Sequence, residues 1–373
     1  MEPKSRRENE MSAEIMSDRK RWLIALTAGL LVALAVGLTP VWNAAGQSTG
    51  GRDMETAADN AIPAPAGGAV PVMAGGEISW KRSGVVLDLG WRGEPDDKNI
   101  ESPLVVKTAD NSYVMFYRGQ SYADKLGRVM RAVSADGINW KKIGVVMTPC
   151  QPYEGDKIDP MAVIYEGGIY KMWYGGQAYG GCACYATSPD GINWTRYDGN
   201  PVLRKTSGSW DNEGAGGQHT VIKDGDRYLM YYKGYGKNDP GWTFYGLAES
   251  ADGIRWMKKG KAVIPEPALG ESTTFKNMHA FKAGGTYFIL HTMADYLSLF
   301  LLTSTDGINW MHRGLAFQKG MTTGGSDIKW ATSPCVLIEN GIIRMWYEGG
   351  DGSGRVRTHY AETPVENLLN RAR

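Results

Sequence analysis

The sequence has almost no net charge, and this shortage narrows the possible functions. Lys and Arg together number 41 and Asp and Glu number 40, which leaves a formal net charge of +1 over 373 residues. Binding to nucleic acid requires a basic excess on one face, so we expect no nucleic-acid partner. The apolar fraction is 42% and the charged fraction 22%, which favours a packed chain over a disordered one.

Cysteine is also scarce, with only four residues. Cys182 and Cys184 have no second Cys or His pair at metal-ligand spacing, so we predict no metal-ligating residues. A disulfide between Cys150 and either Cys182 or Cys184 is compatible with an oxidising compartment. Cys335 lies in an apolar run and is predicted to be a buried free thiol.

An apolar run over residues 22–38 follows the basic residues 19–21 and precedes the small residues 44–45. This order is that of a signal peptide. The run of about 17 residues is also long enough to remain as an uncleaved membrane anchor. We therefore expect export, with the protein periplasmic, secreted or anchored on the outer face of the membrane, which it meets only through this segment.

What the chain has in abundance is glycine, tryptophan and tyrosine. There are 49 Gly, 13 Trp and 19 Tyr, against only 7 Phe. Gly-rich turns with many aromatic residues are typical of all-β proteins. Trp and Tyr also offer flat apolar faces with a polar edge, which suit sugar rings.

One motif, Ser-x-Asp-Gly-Ile-x-Trp, occurs four times. Its Asp residues are spaced by 54, 62 and 54 positions, a period typical of propellers. Asp-Gly suits the positive φ of a tight hairpin, and Ile and Trp alternate with polar residues as in a half-buried strand. Each copy is predicted to join the two outer strands of a blade. The copies cover residues 134–140, 188–194, 250–256 and 304–310.

A second repeat consists of an apolar strand, a turn and an aromatic strand, and it predicts the inner strand pairs of five blades. Its fifth copy has no motif after it, but residues 77–82 resemble residues 137–142 of the first motif. A strand over 77–86 would complete the fifth blade and remove the free edges of the ring. The predicted fold class is therefore all-β, a five-bladed β-propeller closed by an N-terminal strand. The five copies cover residues 103–117, 160–174, 218–232, 277–291 and 333–347.

These patterns divide the chain into four parts. We predict a signal peptide or N-terminal anchor over 1–45 and a flexible linker, rich in Gly, Ala and Pro, over 46–76. The propeller is predicted over 77–365, and residues 366–373 form a C-terminal tail.

The innermost strands of a propeller line a central funnel, so site residues are expected near the start of each. Two carboxylates stand there, Glu101 in Glu-x-Pro and Asp159 in Asp-Pro. Here the chain resembles the five-bladed glycosidases of families 43, 32 and 68, which include arabinanases, xylosidases and invertases. The resemblance implies that Glu101 is the general acid and that Asp159 is a base, a nucleophile or a residue that orients the acid. Such a pair suits glycoside cleavage, which needs one protonated and one ionised carboxyl.

The order of these two patterns departs from that of the family. Family members usually have Asp-Pro in the first blade and Glu-x-Pro in the third, where this chain has Gly216. A third carboxylate is therefore unassigned. The candidates are Glu213 as a catalytic residue and Asp97 and Asp327 as substrate-binding residues, although acids that recur before each blade also suit a structural role in loops.

Two histidines and two tryptophans complete the candidate site. His219 and His279 lie near the same strand starts and are predicted to orient substrate or to hold a hydrated central ion. Trp210 and Trp330 are predicted to stack on sugar rings. No cofactor is required, and a structural calcium or other central ion is left open.

Three functions remain open from the sequence. The first is an exported glycoside hydrolase that acts on furanosides or related oligo- and polysaccharides through carboxylate chemistry. The second is a non-catalytic carbohydrate-binding propeller. The third is a glycoside phosphorylase or transferase, for which Arg118 and Lys233 are the hints of a phosphate pocket. The repeated motif also resembles the Asp box of sialidases, but those propellers have six blades.

The first prediction concerns export. The apolar run over residues 22–38 is expected to carry the chain across a membrane, because its hydrophobic length suits insertion. Cell fractionation of a C-terminally tagged chain checks this, with a chain lacking residues 1–45 as the cytoplasmic control. Recovery of the full chain from the cytoplasm contradicts the prediction.

Overall fold

The computed structural model describes residues 78–237, 244–262, 275–293, 297–320 and 325–373. The predicted signal or anchor segment and the linker lie outside these ranges. Within them the chain is all-β apart from one short α-helix and a 3-10 turn. No helix in this part of the chain is long and apolar enough to cross a membrane.

The described residues form twenty strands and the helix α1, at Val365–Ala372. The first strands in the chain are β1 Lys81–Leu87, β2 Asn99–Lys107, β3 Tyr113–Gln120, β4 Gly127–Ser134, β5 Lys141–Met147, β6 Asp159–Glu166, β7 Ile169–Gly176, β8 Cys182–Ser188, β9 Thr195–Arg196 and β10 Gly214–Asp224. The others are β11 Arg227–Tyr235, β12 Phe244–Ser250, β13 Met257–Lys261, β14 Phe275–Ala283, β15 Thr286–Met293, β16 Ser298–Ser304, β17 Met311–Phe317, β18 Trp330–Glu339, β19 Ile342–Gly350 and β20 Val356–Pro364.

The strands form four-stranded antiparallel groups, here called units 1 to 5. Units 1 to 4 are β2–β5, β6–β9, β10–β13 and β14–β17, and unit 5 is β18–β20 with β1. Units 1 and 5 belong to one sheet through a single parallel pair, Asn99 with Val356. The first strands contact one another in a circle, from β2 through β6, β10, β14 and β18 back to β2. They therefore surround one common space.

The N-terminal strand β1 completes unit 5 by pairing antiparallel with β20. Lys81 lies opposite Glu362 and forms an ion pair with it at 2.8 Å. The indole N–H of Trp80 donates to the carbonyl of Ala316 in unit 4, also at 2.8 Å. Ile78 is buried in the apolar cluster between units 4 and 5. The residues before β2 thus bind both of the last two units.

The Ser-x-Asp-Gly motif forms the turn between the third and fourth strands of units 1 to 4. In unit 1, Oδ1 of Asp136 accepts the backbone N–H groups of Ile138 and Asn139, each at 2.8 Å. Oγ of Ser134 accepts the N–H of Gly137, also at 2.8 Å. The amide donors of this turn lower the pKa of Asp136. Gly137 has φ of 76°, a left-handed conformation that glycine adopts without strain.

The same motif also ties neighbouring units together. The indole N–H of Trp346 in unit 5 donates to the carbonyl of Gly137 in unit 1 at 2.8 Å. Likewise Trp173 of unit 2 donates to Gly253 of unit 3 at 2.7 Å. Both indoles are fully buried, so the bond satisfies their one polar atom where water cannot. The motif therefore stabilises the turn within its own unit and also accepts an indole hydrogen bond from the neighbouring unit.

Apolar side chains pack between adjacent units. Between units 2 and 3, for example, Trp173 packs against Tyr228, with ring centroids 5.6 Å apart. Similar clusters lie at the other four junctions. Residues predicted to be a C-terminal tail belong to α1, and its Leu368 is buried in the cluster between units 4 and 5.

The disulfide that the sequence left open is not formed, since all four cysteines are free. Cys182 and Cys184 are two positions apart on β8 and therefore face the same side of the sheet, where both are buried with Sγ atoms 3.9 Å apart. Cys150 is exposed in the loop after β5. Cys335 is a buried free thiol, as predicted, and its Sγ accepts the N–H of Val105 at 3.2 Å.

The second prediction concerns the N-terminal strand. A chain that begins at residue 90 lacks β1 and exposes one edge of β20, together with the apolar surface that Ile78 and Trp80 cover. We expect it to be insoluble or unfolded, whereas a chain that begins at residue 77 should fold. Soluble yield and urea unfolding measure this. Equal stability of the two chains would show that β1 is dispensable.

Candidate active site

The first strands of all five units meet at one small cavity that is open to solvent. Ser102, Pro160, Gln218, Asn277 and Ser333 line it, one from each unit. These are equivalent positions in the five repeat copies. The starts of the repeat copies therefore meet in space, as the sequence predicts.

A β-bulge lies where each first strand reaches the cavity. A bulge re-aims the side chains beside it, so successive residues can turn toward the same space. Ser102 and Ser333 adopt φ of 51° and 48°, a left-handed conformation that costs a non-glycine residue on the order of 1 kcal/mol. Register with the second strand shifts between Glu101 and Leu104, Pro160 and Ala162, Ala215 and His219, Phe275 and Met278, and Thr332 and Cys335.

Glu101 and Asp159 contact the same guanidinium, that of Arg118 on β3. Nη2 of Arg118 pairs with Oε2 of Glu101, and Nη1 lies 2.7 Å from Oδ2 of Asp159. The three side chains are only 8%, 16% and 22% exposed, in the order Arg118, Glu101 and Asp159. The structure thus brings together the two carboxylates that the sequence places in adjacent blades, and it adds a cation between them.

A third carboxyl, Glu348, lies beside this group at the end of β19. Its Oε1 accepts the backbone N–H of Ser102 at 2.5 Å, and its Oε2 accepts the hydroxyl of Thr332 at 3.0 Å. Burial raises the pKa of Glu348, although the Ser102 amide, the Ser333 and Thr332 hydroxyls and the charge of Arg118 all act against the rise. Glu348 lies on a second strand and so outside the strand starts where the sequence predicts site residues.

Amide side chains complete the ring of polar groups around the cavity. Nε2 of Gln218 donates to Oδ1 of Asn277 at 2.6 Å, and Nδ2 of Asn277 donates to the hydroxyl of Ser333. Neutral side chains of units 3 and 4 are thereby linked to the acidic side of the cavity. In the sequence Gln218, Asn277 and Ser333 stand out only by position, as the first residues of three repeat copies.

Several acids that precede the first strands hold loops instead of facing the cavity. In units 1, 2, 3 and 5 a carboxylate accepts a tyrosine hydroxyl of the second strand and pairs with a cation of the fourth; it is buried in units 1 to 3 and 13% exposed in unit 5. We call these contacts the loop clamps, and their distances run from 2.5 to 3.2 Å. They are Asp96 with Tyr117 and Lys142, Glu154 with Tyr174 and Arg196, Asp211 with Tyr232 and Lys258, and Asp327 with Tyr347 and Arg82.

The three acids proposed as a third carboxylate therefore have other surroundings. Asp327 is a clamp residue. Asp97 accepts the N–H groups of Gly93 and Tyr122 at 2.8 and 2.9 Å; desolvation alone would raise its pKa, but these amides outweigh it and the pKa falls. Glu213 is 40% exposed and lies 3.8 Å from Lys237. The structure brings none of the three to Arg118.

The two histidines differ in their relation to the cavity. His219 lines it, and its Nδ1 lies 2.7 Å from the carbonyl of Gly216. Burial lowers the pKa of His219 to about 4, so near neutral pH the uncharged ring donates from Nδ1 to that carbonyl. His279 is not among the lining residues, and burial lowers its pKa to about 4 as well. Within the described ranges no group of three His, Cys, Asp or Glu side chains is arranged to hold a metal ion, so a central ion stays a prediction.

The aromatic residues chosen from the sequence are packed, and others are exposed. Trp210 stacks on a clamp tyrosine with ring centroids 5.9 Å apart, and Trp330 packs against the backbone of β19. By contrast Trp91, Tyr122 and Tyr179 are 85%, 64% and 49% exposed, in loops at the cavity end of units 1 and 2. The rings of these three are more exposed than those of Trp210 and Trp330, whose stacking on sugar stays a prediction.

Comparison with known proteins gives matches in sequence and in fold. Residues 94–215 match the Glycosyl hydrolases family 32 N-terminal domain. This match covers less than half of the chain. An uncharacterized protein of Mycobacterium tuberculosis is 28% identical over 232 residues, which span 57% of this chain and 72% of that protein. The 1,2-beta-oligomannan phosphorylase of a Thermoanaerobacter species is 27% identical over 180 residues, 48% of this chain and 56% of the enzyme.

A solved glycoside hydrolase superposes with a TM-score of 0.58 at 17% identity, covering 75% of this chain and 92% of that structure. At 17% sequence identity this superposition shows a similar fold. With the sequence match over residues 94–215, it shows that this all-β chain resembles the β-propeller glycosidases.

Proposed function

We propose that this chain is an exported glycoside hydrolase that cleaves furanosides or related oligo- or polysaccharides. In this proposal units 1 to 5 are the blades of one five-bladed propeller that β1 closes, and the cavity at their first strands is the active site. The observation that carries it is the shared contact of Glu101 and Asp159 with Arg118 beside that cavity.

The arrangement suits hydrolysis because cleavage requires ionised carboxylate near the anomeric carbon. Arg118 carries a permanent charge and holds two carboxylates from adjacent units within one network. An ion-paired carboxylate is a poor proton donor while the pair lasts. We therefore assign Glu101, which the sequence suggested as the acid, together with Asp159 to the ionised side of the reaction, where one of them activates water or attacks the sugar.

Phosphorolysis is the second candidate, because part of the chain is similar to a 1,2-beta-oligomannan phosphorylase. That reaction needs a cationic pocket for phosphate. Arg118 is already paired with two carboxylates, and a third carboxyl, Glu348, lies next to it. Because this surrounding repels a phosphate anion, hydrolysis fits the described site better.

The third prediction concerns the two carboxylates. Glu101→Gln and Asp159→Asn keep the shape of each side chain and remove its charge. Each is expected to lower kcat/KM by about 100-fold or more, the usual contribution of a positioned acid–base group. Activated aryl glycosides should rescue neither variant, since a good leaving group replaces only an acid. Initial rates on a panel of aryl furanosides and natural oligosaccharides measure this.

A matched control is Glu366→Gln, on the exposed side of α1, which should keep wild-type rates. Wild-type turnover in both site variants would contradict the assignment. If the wild-type chain binds sugars and cleaves none, the protein is a carbohydrate-binding propeller. If cleavage requires inorganic phosphate and yields a sugar 1-phosphate, it is a phosphorylase.

The fourth prediction concerns Arg118 itself. Arg118→Met leaves two largely buried carboxylates without their cation and should lower the free energy of unfolding by about 3 kcal/mol. The control is Arg128→Met, which breaks an ion pair whose carboxylate is 43% exposed and should cost less than about 1 kcal/mol.

Adding Glu101→Gln and Asp159→Asn to Arg118→Met should restore most of the loss, because no unpaired charge remains. Urea unfolding of the single and combined variants gives these differences. Equal costs for Arg118→Met and Arg128→Met would show that Arg118 does not balance the two carboxylates.

A further inference from the structure

We propose that Trp91, Tyr122 and Tyr179, here called the aromatic rim, bind sugar residues on both sides of the bond that the site cleaves. The proposal rests on the glycosidase function proposed above and names its substrate class. That class is a sugar chain that continues beyond the cavity in both directions.

Exposed aromatic rings are few in the described part of the chain. Four are found there, the three rim residues and Tyr197. The rim residues lie in loops at the cavity end of units 1 and 2, whose first strands carry Glu101 and Asp159. Tyr197 follows β9, the outer strand of unit 2. The exposed rings are therefore concentrated beside the acidic group.

Tyr122 and Tyr179 occupy matching positions, each five residues after the clamp tyrosine of its unit. The sequence repeats there, with Gly-Gln-Ser-Tyr at 119–122 and Gly-Gln-Ala-Tyr at 176–179. Because units 3 and 5 have a lysine and a glycine at the corresponding position, the turn does not require an aromatic side chain. The corresponding residues of units 3, 4 and 5 are Lys237, Tyr296 and Gly352, of which Tyr296 lies outside the described ranges.

The loop that carries Tyr122 lies between Arg118 and Asp159. It begins three residues after Arg118 and ends at Gly127, the first residue of β4. A Cβ on Gly127 would lie 3.0 Å from Cδ of Arg118. The N–H of Ile158, next to Asp159, donates to the Gly127 carbonyl at 3.1 Å. Both ends of the loop are thus fixed to the acidic group.

Trp91 belongs to the loop before β2, which Asp97 joins to the Tyr122 loop. The buried carboxylate of Asp97 accepts the N–H of Gly93 at 2.8 Å and that of Tyr122 at 2.9 Å. Asp97 lies four positions before Glu101, so at most about 14 Å of chain separates the two. Asp97, which the sequence predicts to bind substrate, is in this proposal a positioning residue for two rim side chains.

The loop that carries Tyr179 lies on the other side of β6, toward unit 3. Gly181 packs so closely on Gly217 that a Cβ on Gly181 would lie 3.0 Å from the Gly217 Cα. Gly217 precedes Gln218, which lines the cavity. Tyr179 has φ of 61°, a left-handed conformation that is strained for a residue with a side chain. Asp159, the first residue of β6, therefore has an exposed tyrosine loop on each side.

A sugar chain is the occupant that fits this arrangement. The ring faces of sugars carry C–H groups that pack on aromatic faces, while their hydroxyls keep polar neighbours. The cavity is small and open to solvent, so sugar residues on either side of the cleaved bond must lie on the loops around it. Aromatic rings on both sides of Asp159 suit a chain that continues in both directions.

Alanine variants of the two tyrosines test the rim on the full chain. For arabino- or fructo-oligosaccharides of increasing length, the kcat/KM of the wild-type chain should rise with length. Tyr122→Ala and Tyr179→Ala should each lose about 10-fold on the longest chains, because a stacking face is gone. The loss should be smallest on 4-nitrophenyl furanosides, which are too short to span the rim. Tyr122→Phe and Tyr179→Phe keep the ring and should restore the dependence on length.

The matched control is Tyr197→Ala, which removes an exposed tyrosine from the outer edge of unit 2. It should leave both the rates and their dependence on chain length unchanged. If Tyr122→Ala and Tyr179→Ala behave like Tyr197→Ala on the longest chains, the rim proposal is wrong. In that case cleavage by the wild-type chain still supports the glycosidase function.

Binding separates a failure of the rim from a failure of the proposed function. Calorimetric titration of the same oligosaccharides into the Asp159→Asn chain should give a Kd that Trp91→Ala and Tyr122→Ala raise about 10-fold and Tyr197→Ala does not change. If the wild-type chain cleaves nothing and this pattern holds, the proposed function fails and the rim stands as a sugar-binding surface. Equal affinities in rim and control variants overturn the proposal. A homodimer that Trp91→Ala dissociates overturns it as well, because the rim would then bind protein.

Discussion

The loop clamps are the contacts on which the cavity depends. Each holds a carboxylate between a tyrosine of the second strand and a cation of the fourth, so the loop before the first strand is fixed to both. In unit 2, Glu154 is clamped five positions before Asp159. Breaking one such buried pair typically costs 3–5 kcal/mol, or about a third of the stability of an ordinary domain. Because the clamps fix the loops before the first strands, the bulged starts of these strands lie around the cavity and each contributes a side chain to its lining.

The architecture was largely readable from the sequence because it rests on local chemistry repeated at a fixed period. Asp-Gly turns, strand alternation and the similarity of residues 77–82 to 137–142 predicted the hairpins and the pairing of β1 with the last unit. The site was predicted only in part, because Arg118 and Glu348 lie on second strands, whereas the sequence places the site residues at the starts of the first strands. A signal did exist. Each repeat copy ends in an aromatic residue or His, and the residue that follows varies in chemistry from unit to unit. These following residues are Arg118, Gly175, Lys233, Thr292 and Glu348.

The cavity has two chemically different sides. Three carboxyls and Arg118 lie beside the cavity in units 5, 1 and 2, outside its lining, whereas units 3 and 4 line it with the amides of Gln218 and Asn277. Unit 4 differs in its scaffold as well, because His291 and His312, with ring centroids 5.9 Å apart, stand where other units have the clamp tyrosine and cation. Burial lowers the pKa of both histidines, so both rings are uncharged near neutral pH. We expect bond cleavage on the charged side and recognition of sugar hydroxyls by the amides on the other.

The number of charges around Arg118 limits how many of the neighbouring carboxyls can be ionised together. One guanidinium offsets one carboxylate, so Glu101, Asp159 and Glu348 around Arg118 would leave two uncompensated negative charges if all three were ionised. Such charges are costly where water is largely excluded, and like charges raise the energy of one another. The site lowers this cost if one carboxyl keeps its proton, and Glu348 is the most buried of the three and has no ion pair of its own among the described contacts. Burial raises the pKa of Glu348, so of the three carboxyls it is the one whose neutral form the structure favours most.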